Sequence, residues 1–148
     1  MMKKFLRRTA LFFSILFLFS TVAFASEQII IRASSYITKT VAEISANSGS
    51  QLSISFSIQG TRRMSELGAT TIYLYEDDGY SSKIVKTYRS TDSNYPDMMA
   101  ENTFYHGSNV TYDGIAGNKY YAVVNFKAGD STGSDTTSGQ TATVTARK

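Results

Sequence analysis

The chain has no cysteine and no tryptophan, and it has a single histidine and a single proline. Without cysteine no disulfide can staple the fold, and no lipid can be attached at a processed N-terminal thiol. A small extracellular module of an animal usually carries disulfides, so that class is disfavoured. With one histidine, His106 in "FYHG" (Phe104–Gly107), any Ser-His-Asp arrangement or histidine metal site must use that residue. A lone histidine in a loop is expected to be solvated, and no catalytic residue is assigned. No nucleophile elbow, no H-E-x-x-H and no phosphate-cradling glycine loop occurs. The acidic residues Glu76, Asp77 and Asp78 are adjacent, but they read as an exposed hairpin tip rather than as the paired carboxylates of a glycosidase. "DSNYPD" (Asp92–Asp97) and "GDSTGSD" (Gly129–Asp135) carry oxygen donors at calcium-like spacings. Neither matches a known loop and no bidentate Glu closes either, so neither a metal nor a cofactor is expected.

The first 25 residues distort the bulk charge. Lys3, Lys4, Arg7 and Arg8 open the chain, an apolar run follows from Ala10 to about Phe19, and Ala23-Phe24-Ala25 closes it. This is the pattern of a secretory signal peptide cleaved after Ala25. The apolar run is shorter than the roughly 20 residues a membrane span needs. The expectation is a secreted protein, Ser26–Lys148, with no membrane contact after cleavage. The formal net charge of +3 comes from the signal, because the remainder holds 11 Lys and Arg against 12 Asp and Glu. A nucleic-acid partner is therefore not expected. All ten tyrosines remain, while six of the nine phenylalanines leave.

Beyond residue 25 the periodicity is that of strands. "QIIIRA" (Gln28–Ala33) and "YITKTVAEISA" (Tyr36–Ala46) read as the first two. "QLSISFSIQG" alternates, with Leu52, Ile54, Phe56 and Ile58 on one face and Ser53, Ser55 and Ser57 on the other. "TRRMSELG" (Thr61–Gly68) is read as a loop with a helical turn. "ATTIYLYE" (Ala69–Glu76) and "SKIVKTYRS" (Ser82–Ser90) flank an Asp-Gly hairpin signal. A polar loop around Pro96 leads to a strand over Ser108–Asp113, and "KYYAVVNFKA" (Lys119–Ala128) is the penultimate strand. "GDSTGSDTTSGQ" (Gly129–Gln140) is read as a loop, and "TATVTAR" (Thr141–Arg147) as the last strand. Seven or eight short strands with turn signals every 8–12 residues predict an all-β antiparallel sandwich in one domain over 26–148.

"GIAGNKYYAVVNFKAG" (Gly114–Gly129) carries a more specific signal. Gly117 precedes Tyr120 by three residues, and Ala122, Val124 and Phe126 then alternate. In Ig-like sandwiches such a tyrosine bonds back to the backbone and closes the corner before its strand. Tyr120 is predicted to fill that structural role, with Tyr121 pointing out. On these residues, 51–147 resembles a fibronectin type III or Ig-like domain, with strands in the order B, C, C′, E, F and G. The chain departs from the fibronectin pattern in lacking the B-strand Trp, and Ala128-Gly129-Asp130-Ser131 lacks the Arg of an adhesion tripeptide. The signal, body and "SGSDTTSGQTATV" close are also similar to a group of small secreted proteins of Gram-positive bacteria. The short, Phe-rich signal and the missing cysteines agree with that source, and the resemblance implies no activity.

If Ile72 and Leu74 face the core, Tyr73 and Tyr75 face water. Strand C lies beside strand F in this fold, which places them near Tyr121, and the partner strand adds Tyr88. Such an aromatic face stacks on sugar rings or anchors a protein, and cross-strand tyrosine pairs also stabilise an open sheet without binding anything. The expectation is a non-enzymatic binding module for a glycan or a surface protein. The alternative is a structural protein that self-associates through an edge strand near residues 28–46.

Overall fold

The computed structural model describes residues 34–148. The signal peptide expected at residues 1–25 and the strand expected at Gln28–Ala33 lie outside the described residues. Nine strands follow: β1 (Ile37–Ala46), β2 (Gln51–Met64), β3 (Glu66–Asp77), β4 (Ser82–Arg89), β5 (Met99–Ala100), β6 (Thr103–Asp113), β7 (Lys119–Asp130), β8 (Gly133–Gln140) and β9 (Val144–Thr145). They form two antiparallel sheets. One has the order β1-β2-β6 and the other β4-β3-β7-β8, with β5 added to β3 and β9 to β7. The all-β sandwich predicted from the alternation is the fold formed, with β5 and β8 added to the expected strands.

Side-chain parity explains how the sheets face each other. Leu52, Ile54, Phe56 and Ile58 of β2 are buried, as are Tyr120, Ala122, Val124, Phe126 and Ala128 of β7. On β3 the buried set changes parity, from Leu67 and Ala69 to Ile72 and Leu74. The pairing of β3 with β7 slips by one residue between Ala69 and Thr71, so a bulge at Thr70 carries the switch. Its hydroxyl donates to the Asn125 carbonyl at 3.2 Å. Without that extra residue every side chain on one half of β3 would be on the wrong face.

Four expectations are corrected. Thr61–Gly68 is not a helical turn: β2 runs on to Met64, β3 starts at Glu66, and Met64 and Leu67 are both fully buried. Their three-residue spacing arises from two strand ends converging on the core at Ser65, whose hydroxyl donates to the Gly129 carbonyl. Gly129–Gln140 is not a loop but the end of β7, a turn and β8, which pairs with β7 over eight residues. Thr136, Thr137 and Ser138 are all exposed, so this edge strand needs no apolar alternation and shows none. The Ser108–Asp113 strand begins five residues earlier, at Thr103. Within Thr141–Arg147 only Val144–Thr145 pairs as strand. The polar loop around Pro96 contains a single 3-10 turn that buries Met98.

Candidate binding face

The outer face of the β4-β3-β7-β8 sheet gathers three of the four tyrosines. Tyr75 of β3 lies directly opposite Tyr121 of β7, and Tyr73 lies opposite Val123 of β7 and Thr87 of β4. The Tyr75 and Tyr121 rings are parallel within 4°, with centroids 4.9 Å apart. The rings are stacked, so each covers one face of the other. All three tyrosines are half-buried. On β4, Ile84 sits opposite Tyr75 and is 51% exposed, which extends the apolar row to the sheet edge.

Tyr88 does not belong to this face. It pairs with Ile72, whose side chain points inward, and is 1% exposed. Its register follows from a bulge in β4 between the partners of Leu74 and Tyr75, which shifts the parity of Tyr88 relative to Ile84. The Tyr88 ring meets Tyr95 edge-on at 5.0 Å, and its hydroxyl donates to the Thr111 carbonyl at 2.8 Å. Burial pushes its ionisation well above the ordinary tyrosine range.

Tyr120, next to Tyr121, is fully buried. Its hydroxyl accepts the Ile115 N–H at 3.0 Å and donates to Glu76 Oε2 at 3.0 Å. Gly117 has φ +89°, the left-handed conformation that lets the chain turn back over the ring. Burial is the main reason the Tyr120 hydroxyl is harder to ionise than usual. Glu76 is not at an exposed tip: its side chain is 14% exposed, and Lys83 lies 2.8 Å from Oε1. That ammonium, with further hydrogen bonds, holds the Glu76 carboxyl below its ordinary value.

The remaining polar candidates are committed to local structure. Asp78 receives the backbone N–H groups of Tyr80 and Ser81 within its own turn. Asp92 receives Asn94, and Asp130 receives Thr132 and Arg62. Asp135 receives Ser34 and Ser35. His106 is half-buried on β6 rather than in a loop, with its ring edge-on to Phe56 and Nε2 2.8 Å from the Asp97 carbonyl. Among the described residues no three His, Cys, Asp or Glu side chains converge as a metal site would require.

Sequence reasoning missed the polar end of the same face. Beyond Tyr73 the outward positions of β3 and β7 continue as Thr71 and as Asn125 and Lys127, and Arg89 of β4 lies opposite Thr71. With Glu66, Ser90 and Glu101, Thr71, Arg89 and Lys127 line an open cleft of about 430 Å³. Lys127 pairs with Glu66 at 2.6 Å. Continuing the alternation past Tyr73 to Thr71, and from Tyr121 through Val123 to Asn125 and Lys127, would have found this end. The parity of β4 would still have been wrong.

No family model matches the chain, and no curated protein matches it.

Proposed function

We propose that the protein is a secreted, non-enzymatic module that binds a glycan on the outer face of the β4-β3-β7-β8 sheet. The stacked Tyr75–Tyr121 pair, with Tyr73 beside it on the sheet face turned away from the core, carries the reading. Sugar rings present C–H faces to aromatic faces and hydroxyls to polar groups. The face offers both in sequence along the strands, first the tyrosines and then the cleft of Thr71, Arg89 and Lys127. Two outward residues span about 6.6–6.8 Å of strand, so Tyr75 to Thr71 spans about 13 Å, room for an extended oligosaccharide rather than one sugar. The signal-like N-terminus supports export, and the Gram-positive resemblance supports cell-wall polysaccharide as the target class.

The sheet orders, together with the hydroxyl of Tyr120 closing its corner, support a fibronectin type III-like relationship within the Ig-like sandwiches. The test is retention of the purified protein on insoluble polysaccharides and bacterial cell walls. Tyr73→Ala/Tyr75→Ala/Tyr121→Ala should release it while the far-UV spectrum and cooperative unfolding are kept. Equal retention of both proteins, or none of either, would return the three tyrosines to a purely structural role.

A further inference from the structure

Each sheet of a sandwich ends in two edge strands, and an unprotected edge recruits further strands. Three of the four edges here are blunted. β1 carries Lys39 and Glu43 and runs beside β8 and β9. β4 carries Lys83, Lys86 and Arg89 and is bulged. β8 carries the charged Asp135, which is tied to Ser34 and Ser35. β6 is different. From Thr103 to Tyr112 it has no Lys, Arg, Asp, Glu or Pro, and Phe104 and Tyr105 are 56% and 55% exposed.

The backbone of β6 shows which groups are open. The Thr111 carbonyl points away from β2, because it accepts the hydroxyl of Tyr88 from the other sheet. In an antiparallel ladder every second residue turns its N–H and C=O to the same side. Tyr105, Gly107, Asn109 and Thr111 therefore face the free edge. At one end Thr103 Oγ1 bonds both the N–H and the C=O of Tyr105. At the other end Tyr88 caps Thr111. Among the described residues Gly107 and Asn109 remain open between the caps, placed symmetrically about Ser108.

We propose that β6 pairs antiparallel with β6 of a second copy of this chain, about a two-fold axis at Ser108. Gly107 of each copy then exchanges backbone hydrogen bonds with Asn109 of the other, and Tyr105 lies opposite Thr111. No facing pair within the window contains Lys, Arg, Asp or Glu, so no fixed like charges meet across the axis. This is not the edge expected from the sequence, which was the one near residues 28–46, and it is independent of what the tyrosine face binds.

The test is sedimentation velocity of the purified protein from micromolar to millimolar concentration. A monomer–dimer equilibrium is expected. Asn109→Pro removes one edge N–H per copy, and two lost bonds of about 1 kcal/mol each weaken association about 30-fold. A second variant does not depend on the tolerance of Pro. Across the axis Ser108 faces its own copy as a non-hydrogen-bonded pair with Cα atoms about 4.5 Å apart, within disulfide reach. The chain has no cysteine of its own, so Ser108→Cys should give a covalent dimer on mild oxidation, whereas Ser138→Cys on the β8 edge should not. A monomer at every concentration would overturn the proposal and leave the edge to an extended peptide of another protein. Equal cross-linking of the two cysteine variants would overturn it as well.

Discussion

Neighbouring tyrosines in this protein do opposite things, and the difference is set by which side of the strand each occupies. Tyr120 and Tyr121 are adjacent on β7, so one is fully buried and the other lies on the outer face. The buried ring brings a hydroxyl into the core rim, and that hydroxyl must be bonded. It accepts from Ile115 N–H and donates to Glu76, which Lys83 holds from the other side. Tyr120→Phe keeps the ring and removes both bonds, leaving the Ile115 N–H without this acceptor. The expected loss is about 1–3 kcal/mol, read as a lower urea midpoint with an unchanged slope. Retention on polysaccharide should not change, because Tyr121 keeps its place. Tyr75→Ala should show the reverse pattern: the stack contributes only about 0.5–1.5 kcal/mol beyond burial, so stability falls modestly while retention is lost.

At the scale of elements, β7 and β3 form the centre of the sheet: β8 and β9 also pair with β7, and β4 and β5 with β3. Gly68 of β3 lies where β5 crosses: a Cβ there would stand 2.2 Å from the Met98 carbonyl oxygen and 2.8 Å from Met99 Cα. Both are backbone atoms that cannot rotate away. Gly68→Ala must therefore push β5 and the Met98 turn off the sheet, with a cost of the order of the 1–3 kcal/mol typical of overpacking. Faster amide exchange should be confined to residues 96–100. This constraint was invisible in the sequence, where Gly68 looks like the end of a turn. What could be read were the stretches that alternate strictly between water and core: Leu52–Ile58 of β2, the second half of β3, and β7 to Ala128. β8 was illegible because neither of its faces is in the core, so Ser, Thr and Gly satisfy it and composition imitates a loop. The face itself was half legible. Tyr73, Tyr75 and Tyr121 follow from alternation, but a bulge in β4 moved Tyr88 inside, and bulges have no reliable signature in a single sequence.

For the whole molecule, closure of the two sheets at one end depends on polar contacts at the β7–β8 turn. Tyr36 shares a hydrogen bond with Thr132, and Arg62 stacks on the Tyr36 ring at 5.3 Å and pairs with Asp130 at 2.7 Å. Arg62 is half exposed, and an exposed ion pair is worth about 0–1 kcal/mol. The turn itself matters more. Asp130 Oδ1 accepts the Thr132 hydroxyl at 2.6 Å and the Thr132 N–H at 2.8 Å. These bonds, with a smaller contribution from Arg62, lower the Asp130 carboxyl from 3.8 to about 2. A carboxyl with a depressed folded-state value stabilises the fold above its unfolded value and ceases to do so as pH falls through the folded one. The stability difference between the wild type and Asp130→Asn should thus be constant above about pH 4 and shrink toward pH 2. Arg62→Ala should keep most of that pH dependence, because the turn's own bonds remain. Thr132→Ala, which removes the hydroxyl, should lose the larger share. Thermal unfolding of the three variants and the wild type at half-unit steps between pH 5 and pH 2 reads this directly. A pH dependence that vanished with Arg62→Ala but survived Thr132→Ala would show that the ion pair, not the turn, holds this end of the sandwich closed.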